Sequence, residues 1–308
     1  MAEVTPVTVL SACPGASAWL NALFDEPAFK ASAVLWGRRD RPPGDHPVVL
    51  PIRNQRTLFP ARGCPCCTGR GDVAHLLRTL LSRARRGDLT HVYVVLDHTT
   101  DMPPIIAALL AEPVVAAAYR LSGIAVHADT TALREPFASG PFMHRNMAIA
   151  DRIIVAGSGD RLAGFNPAAA IIAEAPGGAY RAVSAPWPEL AVPDPGRLHS
   201  TLEQQDPSGA AVCVHSISVS PILTKACVMA WLTELASRHG RQILRMYGVL
   251  PDSASGKVVW IEGAGHAVAQ PLLVNAGSSV PHSYGRMVFA VSGLPRDALV
   301  ASIQRGGN

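Results

Sequence analysis

Short apolar runs alternate with stretches whose apolar residues recur every three or four positions through the first half of the chain. Val4–Leu10, Ala31–Trp36, "HPVVLP", "HVYVVLD", "GIAVHAD" and "DRIIVAG" read as buried strands. Between them, Ala18–Phe24 and "DVAHLLRTLLSRARRG" carry helical spacing, the second ending in a basic turn and Gly87. "PPIIAALLAEPVVAAAYRL" reads as helix broken at Pro113. Continuous apolar strands separated by helices predict an α/β fold, a mainly parallel sheet covered by helices on both faces. From residue 186 to 208 periodicity stops and proline and polar residues take over, which predicts a linker after a first domain of residues 1–185. In residues 209–308 the strands "AAVCVHSISVS", "ILRMYGVL", "GKVVWIEG", "AVAQP" and "GRMVFAVSG" lie between two helices, "ILTKACVMAWLTELASRHG" and "PRDALVASIQ". That grouping predicts a smaller α+β domain.

The chain has 308 residues, 48% hydrophobic, enough for two sizeable cores. Only Lys30, Lys225 and Lys257 are lysines among 27 basic residues. A net charge of +4 without a dense basic run argues against nucleic acid as a partner. The N-terminus lacks the pattern of a secretory signal, and no apolar stretch reaches the roughly 20 residues that cross a bilayer. A cytoplasmic location without membrane attachment is expected. Thiols stay reduced there, so six cysteines point to metal binding or redox chemistry rather than disulfides.

Three of those cysteines, Cys64, Cys66 and Cys67, fall within "RGCPCCTGRGDVAHLLRTLL". A Cys-x-Cys-Cys arrangement can turn three thiolates toward one soft cation, and a tetrahedral zinc site then needs one ligand more. Clustered free thiols are the alternative. The stretch resembles the "GCICCTLRGDL" segment of the CobW-like family, P-loop GTPases that act as metallochaperones. "VTVLSACPGASAWLNALFDEP" is similar to that family's "VTVLTGFLGAGKTTLLN", and "HVYVVLDHTTDMPP" and "YRLSGIAVHAD" to its "VVIETTGLADP" and "YRLDGVVTVVDA". "ILRMYGVL", "KVVWIEGAGHAV" and "GRMVFAVSGLPRDAL" resemble segments of its C-terminal domain. The resemblance runs in order along nearly the whole chain. It implies a P-loop-NTPase-like domain followed by a CobW C-terminal domain.

The departures from the family are as informative. The phosphate loop has become Ser11-Ala12-Cys13-Pro14-Gly15-Ala16-Ser17-Ala18-Trp19 and has no lysine. Pro14 offers no N–H, and Trp19 stands where small hydroxyl residues are expected near Mg²⁺. The acidic motif reads Asp97-His98-Thr99-Thr100-Asp101, and the guanine-reading motif Gly157-Ser158-Gly159-Asp160. Gly15, Ser17, Asp97 and Asp160 are what remains of a nucleotide site. The resemblance implies Zn²⁺ on Cys64, Cys66 and Cys67, with Cys13, His98 or a water in the fourth position, and no effective GTP/Mg²⁺ chemistry. Cys13 could equally be a small buried hydrophobe. The expected partner is a client metalloprotein or an intact CobW-like homologue. A remodelled, weak GTPase and a metal-free scaffold are the competing readings. Cys213 and Cys227 are expected in the core, and His266, with His215 and His282, could form a late metal contact or be structural.

Overall fold

The computed structural model describes residues 4–42, 46, 48–52, 72–129, 142–156, 166–174, 183, 201–205, 209–220, 223–274 and 285–306. Cys64, Cys66, Cys67, Asp160 and His282 lie outside the described residues.

The first sheet has seven parallel strands: β1 (Thr5–Ala12), β2 (Ser32–Gly37), β3 (Val49–Pro51), β4 (His91–Asp97), β5 (Tyr119–Asp129), β6 (Arg152–Ala156) and β7 (Ala170–Ala173). Their order is β3-β2-β4-β1-β5-β6-β7. β1 sits in the middle, parallel to β4 on one side and β5 on the other. Its connection to β2 passes over β4, while the connection from β4 to β5 crosses β1, so the direction of winding reverses here. Ligands of open α/β sheets bind at the carboxyl ends of strands at such a reversal. The continuous apolar runs are explained by burial on both faces, since every residue of β2 is buried.

Proline breaks the helical segment after β4 where expected, giving helices Pro103–Ala111 and Pro113–Ala118. The next strand starts at Tyr119 rather than Gly123, so "YRL" is strand and not helix. The Tyr119 hydroxyl donates to Leu77 O at 2.9 Å, which fixes this early start against helix Asp72–Arg85.

The second sheet is antiparallel: β8 (Thr201–Gln205), β9 (Ala211–Ser218), β10 (Ile243–Pro251), β11 (Val258–Ala264), β12 (Ala267–Val268), β13 (Leu272–Val274) and β14 (Arg286–Ser292). β8 falls inside the stretch expected to be linker and pairs with β9, so the second sheet begins before residue 209. A short polar strand such as "TLEQQ" carries no apolar alternation, which is why its pattern did not declare it.

Alternation along β14 shows how the two halves meet. Val288 and Ala290 join Val212, Val214, Leu244 and Ala264 in the core of the first domain, while Met287, Phe289 and Val291 pack in a second core. That second core is closed by helices Lys225–His239 and Arg296–Gly306, which pack on each other. Helix Pro103–Ala111 packs against β11 and β12 as well as β5. With apolar surface on both sides, "PPIIAALLA" is buried from Pro103 through Leu109 and shows no polar face.

Candidate functional site

The carboxyl ends of β1, β4 and β5 bring the sequence-expected residues to one edge. Ala12, the last residue of β1, aligns with Asp97 on β4 and His127 on β5. Beyond Ala12 the chain passes through a short turn directly into a helix. Cys13 is extended (φ −67°, ψ 165°), a 3₁₀ turn runs from Pro14 to Ala16, and helix Ser17–Asp25 begins directly after it. The Ala16 N–H donates to Cys13 O at 3.1 Å. A cradle needs several free backbone N–H groups converging on one point; here Pro14 has none and that of Ala16 is used within the turn.

Gly15 does not open a left-handed turn, since the positive-φ glycines among the described residues are others. A Cβ built on Gly15 would meet nothing within 4 Å. The glycine expected to shape the loop is therefore not required by the loop's conformation, and it faces open space. Ser17 is exposed on the first helical turn.

Arg38, just past β2, closes the other side. Its Nη1 donates to Ala12 O at 2.7 Å and Cys13 O at 3.2 Å, and its Nε and Nη2 hold the Asp40 carboxylate at 2.9 and 2.7 Å. The guanidinium is buried, and Asp40 neutralises it from the solvent side. Sequence reading placed "GRRDRPPGD" where the CobW-like family has its "NEFG" switch, but did not single out Arg38 within it.

The strongest unanticipated feature is the partner of Cys13. Its Sγ lies 3.1 Å from Nδ1 of His127, and Nε2 of His127 lies 3.2 Å from Oε2 of Glu174, the residue after β7. Trp19 covers the imidazole, with ring centroids 5.2 Å apart. Cys13 and His127 are buried, whereas the Glu174 side chain is 29% exposed. Burial raises the Cys13 thiol, while the Gly15 N–H and the Arg38 cation pull it back and Asp129 adds to the rise. Burial likewise lowers His127, against Glu174, which favours the imidazolium. Thus Cys13 is buried, as the structural alternative held, but it is not a passive hydrophobe. Spacing in sequence gives no hint of the set, because its members are 114 and 47 residues apart.

At the end of β4, the Thr99 N–H and hydroxyl both donate to Oδ1 of Asp97, at 3.0 and 2.7 Å. His98 Nδ1 stands 3.0 Å from the same oxygen, at ion-pair distance but off the line a hydrogen bond needs. Burial pushes the Asp97 carboxyl up, yet His98 and Thr99 outweigh it and hold the group well below the usual carboxylate range. The loop beyond is fastened by Asn146, whose Nδ2 donates to Thr100 O at 2.8 Å and whose Oδ1 accepts from the Met102 N–H at 3.0 Å.

Other expectations separate cleanly. Cys213 is half-buried on β9 against the second core, but Cys227 is exposed, so its assignment to the core is corrected. It sits in the first turn of helix Lys225–His239, where its N–H donates to the Thr224 cap. The Nδ1 of His266 donates to Ala236 O at 2.8 Å and thereby caps the same helix. Gly240 permits this: a Cβ there would sit 2.3 Å from His266 Nδ1. His215 lies on β9, paired with Phe289. Among the described residues no group of three His, Cys, Asp or Glu could hold a metal ion, and no helix is long and apolar enough to cross a membrane.

No family model matches the chain, and no curated protein does. Solved structures do. Zn(II)-bound YjiA GTPase from E. coli is similar over 99% of both chains, with 18% identity and a TM-score of 0.62. A Zn(II)-bound triple mutant of YjiA GTPase matches over 99% of this chain and 100% of its own, with 18% identity and a TM-score of 0.60. The chain therefore shares the fold of YjiA GTPase: a mainly parallel seven-stranded sheet with helices, followed by an antiparallel sheet.

Proposed function

We propose that this protein is a CobW-like zinc-binding protein, a metal carrier for a client metalloprotein or an intact CobW-like homologue, that no longer hydrolyses GTP. The observation that carries the loss of hydrolysis is the closed junction after β1. A one-residue step into a proline-led turn, carbonyls tied to Arg38, and no lysine leave nothing to hold phosphates. GTP and Mg²⁺ do not fit the residues present. Losing charged contacts costs about 1.5–3 kcal/mol each, and several are missing together.

Zinc fits the chemistry of Cys64, Cys66 and Cys67, whose three thiolates would balance its charge and set a tetrahedral preference. Bound there, the metal would supply a transferable soft cation. The Zn(II)-bound state of YjiA GTPase supports zinc as the metal of this fold, whereas the triple mutant is Zn(II)-bound with two of its cysteines replaced by alanine and lends no support to the thiolate set. For the fourth ligand we favour His98 or a water. His98 stands next to Asp97 at the end of β4, with its Nδ1 3.0 Å from Asp97 Oδ1. The Cys13 sulfur already has a partner in His127.

Zinc titration of the full chain against a competing chelator, beside a GTP titration and single-turnover hydrolysis, tests the proposal. One Zn²⁺ per chain is expected, abolished in the Cys64→Ala, Cys66→Ala, Cys67→Ala variant, with no hydrolysis at any zinc level. Undiminished zinc affinity in that variant would take the metal away from these cysteines, and no zinc binding by the parent chain would favour the metal-free scaffold. Hydrolysis lost in Asp97→Ala would restore the weak GTPase.

A further inference from the structure

We propose that Cys13, His127 and Glu174 form a thiol nucleophile site, distinct from the zinc-binding cysteines, whose substrate class is small hydroperoxides. The geometry is that of a nucleophile, a base in contact with it, and a third group that orients the base. Sγ of Cys13 and Nδ1 of His127 are 3.1 Å apart, Nε2 of His127 and Glu174 Oε2 3.2 Å. Trp19 holds the imidazole plane from the side. The chain of contacts runs from a buried sulfur to a carboxylate that reaches solvent, a route by which a proton can leave or return.

Two features select the electrophile. Acyl transfer through a tetrahedral intermediate needs a backbone donor for the oxyanion, usually from the residue after the nucleophile. That residue is Pro14, which has no N–H, so attack on a carbonyl lacks its main stabilisation. Attack on a peroxide oxygen has no such intermediate. It needs a thiolate and a proton for the departing oxygen, and this set supplies both. Cys13 is only 3% exposed, which excludes bulky substrates. Pro14 and Gly15, the next two residues of the chain, are exposed, and a Cβ on Gly15 would meet nothing within 4 Å.

The step balances. His127 Nδ1 takes the thiol proton, and the sulfur lone pair forms an S–O bond to the terminal oxygen of the hydroperoxide. The O–O bond breaks, and the leaving alkoxide receives the proton from His127. Sulfur is oxidised by two electrons to sulfenic acid, and the peroxide is reduced to an alcohol, or to water when hydrogen peroxide reacts. Burial opposes both the thiolate and the imidazolium; of the facing charges, Arg38 favours the thiolate, Asp129 opposes it, and Glu174 stabilises the imidazolium that accompanies it.

The site does not depend on zinc, so the test uses the full-length chain after chelator treatment. Hydrogen peroxide is added with a dimedone trap, and each cysteine peptide is followed by mass spectrometry. Cys13 is expected to be trapped at least about 10-fold faster than exposed Cys227, which has no imidazole base, and His127→Gln to slow Cys13 by about 100-fold. Glu174→Gln, at a partly exposed position that should leave folding intact, is expected to slow it several-fold. It should also move the rate–pH midpoint downward, because the imidazolium loses its carboxylate and His127 becomes the free base at lower pH. Labelling of Cys13 only after denaturation overturns the proposal. So does a Glu174→Gln profile that superimposes on the parent's.

Discussion

Replacing Arg245 by methionine should be among the most damaging single changes in the described residues, and the structure says how. Arg245 lies on β10 and is wholly buried. Its Nη1 donates to Asp151 Oδ1 at 2.6 Å and Ile149 O at 2.7 Å, both in the first domain. Its Nε and Nη2 clasp Glu262 on β11 at 2.9 and 3.0 Å, and its guanidinium lies 4.2 Å from the Tyr247 ring centroid. The residue thus joins the two sheets while neutralising two buried carboxylates. Methionine fills much of the volume, so the loss is electrostatic: Asp151 and Glu262 would face each other without a cation. Breaking a buried pair this way costs about 3–5 kcal/mol.

Burial already pushes the Glu262 carboxyl up and Arg245 opposes that push. Without Arg245 the folded-state carboxyl rises further above its unfolded value, so the folded variant binds more protons than the unfolded chain. The variant's stability is then retained in acid and lost as pH rises through the raised value. Urea unfolding at pH 5 and pH 8 measures this. The deficit should be larger at pH 8, and Glu262→Met added to Arg245→Met should recover roughly 1–3 kcal/mol. The domains should also begin to melt separately by calorimetry. A deficit under about 1 kcal/mol, or one independent of pH, would refute the reasoning.

Three further outcomes rest on single contacts. His91, pressed down to about 4 by burial and bonded to Thr8 at 2.8 Å, should make the protein lose at most about 3 kcal/mol as pH falls from 6.5 through 4. The unfolded chain binds the proton that the folded one refuses, and His91→Gln should flatten this acid limb in a pH-dependent melt. Gly15→Ala should stabilise by about 0.4–1 kcal/mol in urea titration, since the turn needs no glycine; destabilisation would mean the loop has another working conformation. Asn146→Ala should cost about 1–3 kcal/mol and expose the Thr99–Met102 loop to hydrogen exchange, because the Met102 N–H and Thr100 carbonyl would lose their buried partner.

The fold was legible where strands such as β4 are buried on both faces and helices such as Asp72–Arg85 on one, which leaves strong periodicities in "HVYVVLD" and "DVAHLLRTLL". Where the physics is not periodic, the pattern falls short. Polar "TLEQQ" becomes a strand by pairing with β9, and Tyr119 is drawn into strand by its bond to Leu77. The candidate site divides in the same way. The absence of lysine, and Pro14 after Cys13, are local facts that a sequence displays, and they already speak against phosphate binding. Cys13, His127 and Glu174 become neighbours only because β1, β5 and β7 run parallel in one sheet and end at the same edge. Parallel strands separated by helices place residues far apart in sequence at one level, so a site on their ends has no characteristic spacing. At that edge the sheet places an arginine on the carbonyls of Ala12 and Cys13 and an imidazole beside the Cys13 thiol.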